Sequence, residues 1–139
     1  MKKKLTLALF AISVLLVFTA TAAELKQAKV TKVVDGDTID VRYDDGSSVT
    51  VRYIGVDTPE THGGVEHFGK EATAYNENLV GNKTVWLEIG EEAEDKYDRL
   101  LAYVYLDPAQ KSMVNAILVA QGYAEVMTIP PNDKHADLF

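Results

Sequence analysis

Three acidic side chains and two arginines stand at spacings that a fold could gather: Asp37, Asp57 and Glu60, with Arg52 and Arg99. They lie in four short stretches, Asp35-Gly36-Asp37-Thr38, Arg52, Asp57-Thr58-Pro59-Glu60 and Asp95-Lys96-Tyr97-Asp98-Arg99. Hard divalent cations such as Ca²⁺ take carboxylate, carbonyl and water oxygens. Guanidinium groups grip phosphate oxygens through a planar, bidentate fork. A carboxylate within reach of water can orient it or accept its proton. Attack of water on an anionic phosphodiester needs these parts: an aligned nucleophile and positive charge around phosphorus. Folding alone gives no reason to collect them, so the pattern points to cleavage of nucleic acid.

Each residue also has a plainer reading. Asp35 and Asp37 could serve only the turn at Gly36. Glu60 could be a solvated loop glutamate, and an arginine on a barrel strand often snorkels or pairs with an acid. His62 and His67 bracket Glu66 in a glycine-rich stretch with no other convincing ligands, so a zinc site is set aside in favour of solvated histidines. The topology tips the balance for the carboxylates. Asp37 begins one strand and Asp57 ends the next, and a hairpin between them would bring both to one edge.

The elements that must hold these residues follow from periodicity. Ala28–Val34 is valine-rich and leads into the Asp35-Gly36 bend. Ile39, Val41 and Tyr43 alternate with Thr38, Asp40 and Arg42, the pattern of a half-buried strand. Asp45-Gly46 is a hairpin turn. Ser48–Val56 reads as the return strand, with Val49, Val51 and Tyr53 on one face and Thr50, Arg52 and Ile54 on the other. Lys70–Val80 has the spacing of a helix, Ala72, Tyr75 and Leu79 sharing a face and Gly81-Asn82 ending it. Thr84–Ile89 and Leu100–Leu106 read as strands on either side of an acidic, exposed loop, Gly90–Asp98. Ser112 is positioned to cap a helix whose Met113, Val114, Ile117 and Leu118 face the core, closed by Gly122. Tyr123–Ile129 is a last extended piece before Pro130-Pro131. A three-strand meander, a helix, two strands and a helix suit a mainly β, α+β domain. Its expected form is a five-stranded Greek-key barrel of the OB type with flanking helices; an α+β sandwich is the competitor.

Composition bounds the setting. Lys2-Lys3-Lys4, a short apolar run to Phe18 and Ala20-Thr21-Ala22 have the form of a cleavable leader over residues 1–23. The run is short for a membrane span, so export to the periplasm or medium, with no stable membrane association afterwards, is the expectation. Residues 24–139 then form one domain. There is no cysteine in the sequence, so an exported domain would rely on packing and a bound ion rather than on disulfides. All 21 acidic residues follow the leader, and three of the 14 basic ones lie within it, so the remainder is more acidic than the −7 of the whole chain. That charge argues against a nucleic-acid binder that works by phosphate neutralisation alone.

In combination these stretches resemble the staphylococcal (thermonuclease) family of secreted nucleases, from about Lys29 to Asn132. The signatures stand here as Val-Asp-Gly-Asp-Thr (34–38), Val-Arg-Tyr-Ile-Gly-Val-Asp-Thr-Pro-Glu-Thr (51–61) and Asp-Lys-Tyr-Asp-Arg-Leu-Leu-Ala-Tyr-Val-Tyr (95–105). Met113-Val114-Asn115 and Gln121-Gly122 also fit. The resemblance implies an OB-fold barrel and a Ca²⁺-dependent hydrolase of single-stranded DNA and RNA that leaves 3′-phosphate ends; a monomer is the expected state. By the same token Asp37 and Asp57, with the Thr58 carbonyl, would ligate Ca²⁺, and Glu60 would orient or deprotonate the water. Arg52 and Arg99 would hold the phosphate in the transition state, and Lys96 and Tyr97 would meet a terminal phosphate. The rival reading is a catalytically silent OB-type module that binds nucleic acid or protein.

Three positions depart from the family pattern. Asp98 stands where glycine is frequent, and a carboxylate there would compete for Arg99. No tyrosines stand near Thr128 and Pro130 to stack on a base. After Asn132-Asp133, a helix beginning at Lys134 is cut short at Leu138-Phe139, an apparently truncated C-terminal helix whose last two residues would have few partners.

Overall fold

The computed structural model describes residues 24–59 and 68–139. Residues 1–23, the expected leader, lie outside the described residues, as do Glu60, His62, Glu66 and His67.

Five strands close into a barrel in the order β1-β2-β3-β6-β5. Strand β1 (Lys26–Asp35) pairs antiparallel with β2 (Thr38–Arg42), and β2 with β3 (Ser48–Tyr53) across the Asp45-Gly46 hairpin. In that turn Asp45 Oδ1 accepts from the Ser47 amide at 2.8 Å, and Gly46 takes the left-handed φ of 86°. Strand β6 (Leu100–Tyr105) runs parallel to β3 and antiparallel to β5 (Thr84–Glu94), which pairs with β1 to complete the closure. Alternate residues point inward, and Val30, Ile39, Val41, Val51, Leu87 and Val104 are buried in the interior. Helix α1 (Gly69–Val80) places Ala72 and Val80 on this core, and α2 (Val114–Ala120) adds Val114 and Leu118.

Three boundaries differ from those read in the sequence. The return strand does not run through to Val56. It breaks after Tyr53, because Gly55 turns the chain at φ 78°, and Gly55–Asp57 leaves the barrel as β4 to pair with β7 (Glu125–Met127). The stretch Gly90–Asp98 is not all loop: β5 continues to Glu94, which pairs with Leu100 beyond a bulge, and only Asp95–Arg99 turns. An acidic composition concealed an extended stretch whose side chains at 91–94 are exposed while the Glu92 amide and carbonyl are bonded to the Asn132 side chain. Ser112 does not cap α2. Its amide donates to Asp107 Oδ2 at 2.9 Å, and Met113 holds the cap position in extended backbone with no side-chain bond.

The C-terminal segment also departs from expectation. Instead of an α-helix from Lys134 there is one 3₁₀ turn, Ala136–Leu138. Phe139 has partners: its ring packs against both apolar clusters and lies over Gly55, where an added Cβ would come within 2.3 Å of Cε2. Leu138 remains exposed.

Candidate active site

The register Thr38↔Arg52 sets the site. Asp37 immediately precedes β2 and Arg52 lies opposite its first residue, so the carboxylate and the guanidinium meet at one end of the barrel. Asp37 is buried, 4% exposed. Its Oδ2 accepts from the Thr58 amide at 2.8 Å and the Thr58 hydroxyl at 2.9 Å. Its Oδ1 accepts from the Thr38 hydroxyl at 3.0 Å and lies 3.2 Å from Arg52 Nε. Arg52 Nη2 donates to Asp57 Oδ1 at 3.0 Å, and Nη1 donates to the carbonyls of Tyr53 and Val56, each at 2.7 Å. One planar guanidinium therefore bridges the two carboxylates that the hairpin was expected to bring together.

The plainer reading of Arg52 as an acid partner is thus realised, and it does not exhaust the side chain. Nη1 is committed to carbonyls and one Nη2–H to Asp57. The other Nη2–H has no hydrogen-bond partner among the described residues, on a group that lines a cleft. Fixed geometry on one edge and a donor on the other is what preorganised phosphate binding requires.

Arg99 is held differently. The turn before β6 is built by Asp95, whose Oδ1 accepts from the amides of Tyr97 at 2.9 Å and Arg99 at 3.1 Å. The same carboxylate receives Arg99 Nε through Oδ2 at 2.7 Å. Burial pushes the Asp95 carboxyl up, but these backbone and guanidinium donors outweigh it and hold the group below the usual carboxylate range. Asp98, the residue expected to compete for Arg99, does not take it. It occupies the left-handed φ of 61° that the turn demands, which accounts for glycine being frequent there. Asp95 is the partner that the sequence reading missed, although a carboxylate four residues before an arginine was there to be seen.

Arg52, Arg99, Lys96 and Tyr97 line one cleft of about 360 Å³. The Tyr97 ring is 65% exposed, with Lys96 Nζ 5.0 Å and Arg99 Cζ 5.3 Å from its centroid. Met127 and Ile129 also line the cleft, carried there by β7 and the residues after it. These aliphatic side chains occupy the region where base-stacking tyrosines find no match, and periodicity gave no hint of them. Asp37 stands behind Arg52 and is not part of the cleft lining. Glu60 lies outside the described residues.

Whether the site suits a hard cation is answered by its donors. All are oxygens: the carboxylates of Asp37 and Asp57 and the main-chain carbonyl of Thr58 between the same elements. Among the described residues no three His, Cys, Asp or Glu side chains form a self-sufficient metal cluster. Negative charge is nevertheless in excess here. Burial, and then the charge on Asp37, push the Asp35 carboxyl up to about 6. Two carboxylates and a carbonyl are oxygen donors of the kind Ca²⁺ takes, rather than those of a nitrogen- or sulfur-seeking metal.

A closed five-stranded barrel with a helix after its third strand defines a domain of the OB class. Residues 50–139 match the family model described as staphylococcal nuclease homologue, and the chain belongs to that family. It is 43% identical over 109 residues to the thermonuclease of Staphylococcus intermedius, covering 76% of this chain and 62% of that protein. It is 41% identical over 112 residues to the thermonuclease of Staphylococcus hyicus, 78% of this chain and 64% of that one. Endonuclease YncB of Bacillus subtilis (strain 168) is 42% identical over 113 residues, 78% of this chain and 52% of the relative. The chain spans less than two thirds of the length of these curated relatives.

Proposed function

We propose that this protein is a secreted, Ca²⁺-dependent nuclease that hydrolyses phosphodiester bonds of DNA and RNA, preferring single strands and leaving 3′-phosphate ends. One observation carries the reading: Arg52 on β3 and Arg99 in the turn before β6 line a single cleft, Arg52 held by Asp37 and Asp57 and Arg99 by Asp95. Membership of the nuclease family supports the reaction class.

In the proposed reaction water forms the new bond to phosphorus, the P–O5′ bond breaks, and a proton passes to the departing 5′-oxygen. Arg52 and Arg99 bind the non-bridging oxygens and stabilise the charge that builds on them. Asp95 and the two Asp37/Asp57 contacts keep those guanidinium groups from relaxing toward solvent. Glu60 orients the water and accepts its proton. Lys96 and Tyr97 meet the neighbouring phosphate. Asp37, Asp57 and the Thr58 carbonyl would hold Ca²⁺, which would supply positive charge to offset that of the phosphodiester. Removal of the leader at about residue 23 and action as a monomer in the periplasm or medium complete the proposal.

The test is release of acid-soluble nucleotides from denatured DNA, with Ca²⁺ and then with excess chelator. Strong release that stops on chelation is expected. Undiminished release in chelator would remove the metal role, and none from a folded chain would favour the binding module.

A further inference from the structure

The turn carrying Asp37 is fastened from behind by two buried polar side chains, Tyr53 and Asn76. Asn76, fully buried on α1, accepts from the Tyr53 hydroxyl at 2.9 Å through Oδ1. Its Nδ2 donates to the main-chain carbonyl of Asp35 at 3.0 Å. Tyr53, 1% exposed, makes contacts at three levels. Its hydroxyl meets Asn76, its amide donates to the carbonyl of Asp37 at 2.9 Å, and its carbonyl accepts from Arg52 Nη1 at 2.7 Å. One turn before Asn76, Ala72 closes on Gly36, where an added Cβ would lie 2.9 Å from Ala72 Cβ.

A leucine and a phenylalanine would fill the same volume without a polar atom to satisfy. Packing therefore does not explain an amide and a phenol here; the fixed direction of their hydrogen bonds does. The chain runs unbroken from α1 through Asn76 to both the Asp35–Asp37 backbone and Arg52.

We propose that Tyr53 and Asn76 are positioning residues that hold the Asp37 turn and the Arg52 guanidinium at a fixed separation. The inference rests on the nuclease reading above for its effect on rate, but not for its effect on local order. Displacement of a reacting group by about 1 Å is enough to cost about 100-fold in rate.

Tyr53→Phe, Asn76→Ala and the double variant of the full chain provide the test, by amide hydrogen exchange and by kcat and KM on denatured DNA. The reporter amide is that of Tyr53, which is bonded to Asp37. The control is the amide of Val104 on β6, bonded to Asn115 Oδ1 at 2.9 Å and making no bond to Asn76 or the Asp37 turn. Exchange at Tyr53 is expected to quicken by about 10-fold or more while Val104 changes little. The value of kcat should fall roughly 10- to 100-fold with KM nearly constant, and the double variant should be no worse than Asn76→Ala. Equal quickening at both amides, or unchanged exchange at Tyr53, would overturn the proposal; so would unaltered kcat in folded variants of an active enzyme. An inactive wild type would instead overturn the nuclease reading, and the exchange data would still decide the positioning role. Where Asn76→Ala does not fold, Tyr53→Phe, which keeps the ring, carries both measurements.

Discussion

Arg52 and Arg99 show how the same residue type is prepared for one task in two ways. Arg52 is buried and pinned between Asp37 and Asp57, with carbonyls taking Nη1. Lysine carries the charge but not the planar fork, so Arg52→Lys should leave carbonyls and a carboxylate short of donors. A loss of about 2 kcal/mol in urea unfolding is expected, together with a large fall in rate. A variant as stable as the wild type would mean that the bridge contributes nothing net. Arg99 is more open and depends on Asp95 for direction. Asp95→Asn keeps the turn's acceptor but loses the charge-assisted bond, worth about 1.5–3 kcal/mol where such bonds are measured. Nuclease assays should show a drop of about 10-fold or more in kcat with KM less affected; an unchanged kcat would make Asp95 a turn residue only.

Among the elements, the break between β3 and β4 matters most. Were Ser48–Asp57 one continuous strand, Asp57 would point along the barrel edge rather than back to Arg52. Gly55 permits the turn, and Phe139 covers it. Asn115 then fixes the break from α2, its Nδ2 donating to the Ile54 carbonyl at 2.8 Å. Gly55→Ala combines an unfavourable φ with a collision at the Phe139 ring. Gly122, at φ 79° with nothing within 4 Å of an added Cβ, isolates the backbone contribution. Gly122→Ala is expected to cost about 1 kcal/mol, and Gly55→Ala about 1–3 kcal/mol beyond that. Chemical denaturation of the two variants checks the difference. Equal losses would show that the Phe139 ring moves aside freely.

At the scale of the whole molecule, a buried charge anchors the C-terminal segment to the barrel. Glu88 on β5 is 4% exposed and accepts from Tyr105 at 3.0 Å, lies 3.0 Å from His135 Nε2, and pairs with Lys134. Burial raises its pKa, but the donors from Lys134, His135 and Tyr105 prevail and leave it below the ordinary glutamate value. A carboxyl with a depressed folded pKa contributes stability that is fully present above its unfolded pKa. That contribution fades as pH falls through the lower folded value. Stability should therefore decline below about pH 4.5, and Glu88→Gln should flatten this decline while lowering the midpoint at neutral pH. An unaltered pH profile in Glu88→Gln would assign the decline to other carboxylates.

By itself the sequence determined the chemistry on offer and most of the scaffold. Alternation from Ile39 to Tyr43, the Asp45-Gly46 hairpin and the apolar face of α1 specify local structure, because their signals repeat within a few residues. The chemical types at Asp37, Arg52, Asp57, Arg99, Lys96 and Tyr97 were legible for the same reason. What only the tertiary structure decided are relations between residues far apart in the chain: Arg52 bridging two carboxylates, the Tyr53–Asn76 link to the Asp37 turn, Met127 and Ile129 as a cleft wall, and Phe139 over Gly55. Boundaries failed where composition and pairing disagree, as along the charged end of β5. A side chain's partner is set by register and closure of the barrel, and neither is written in local periodicity.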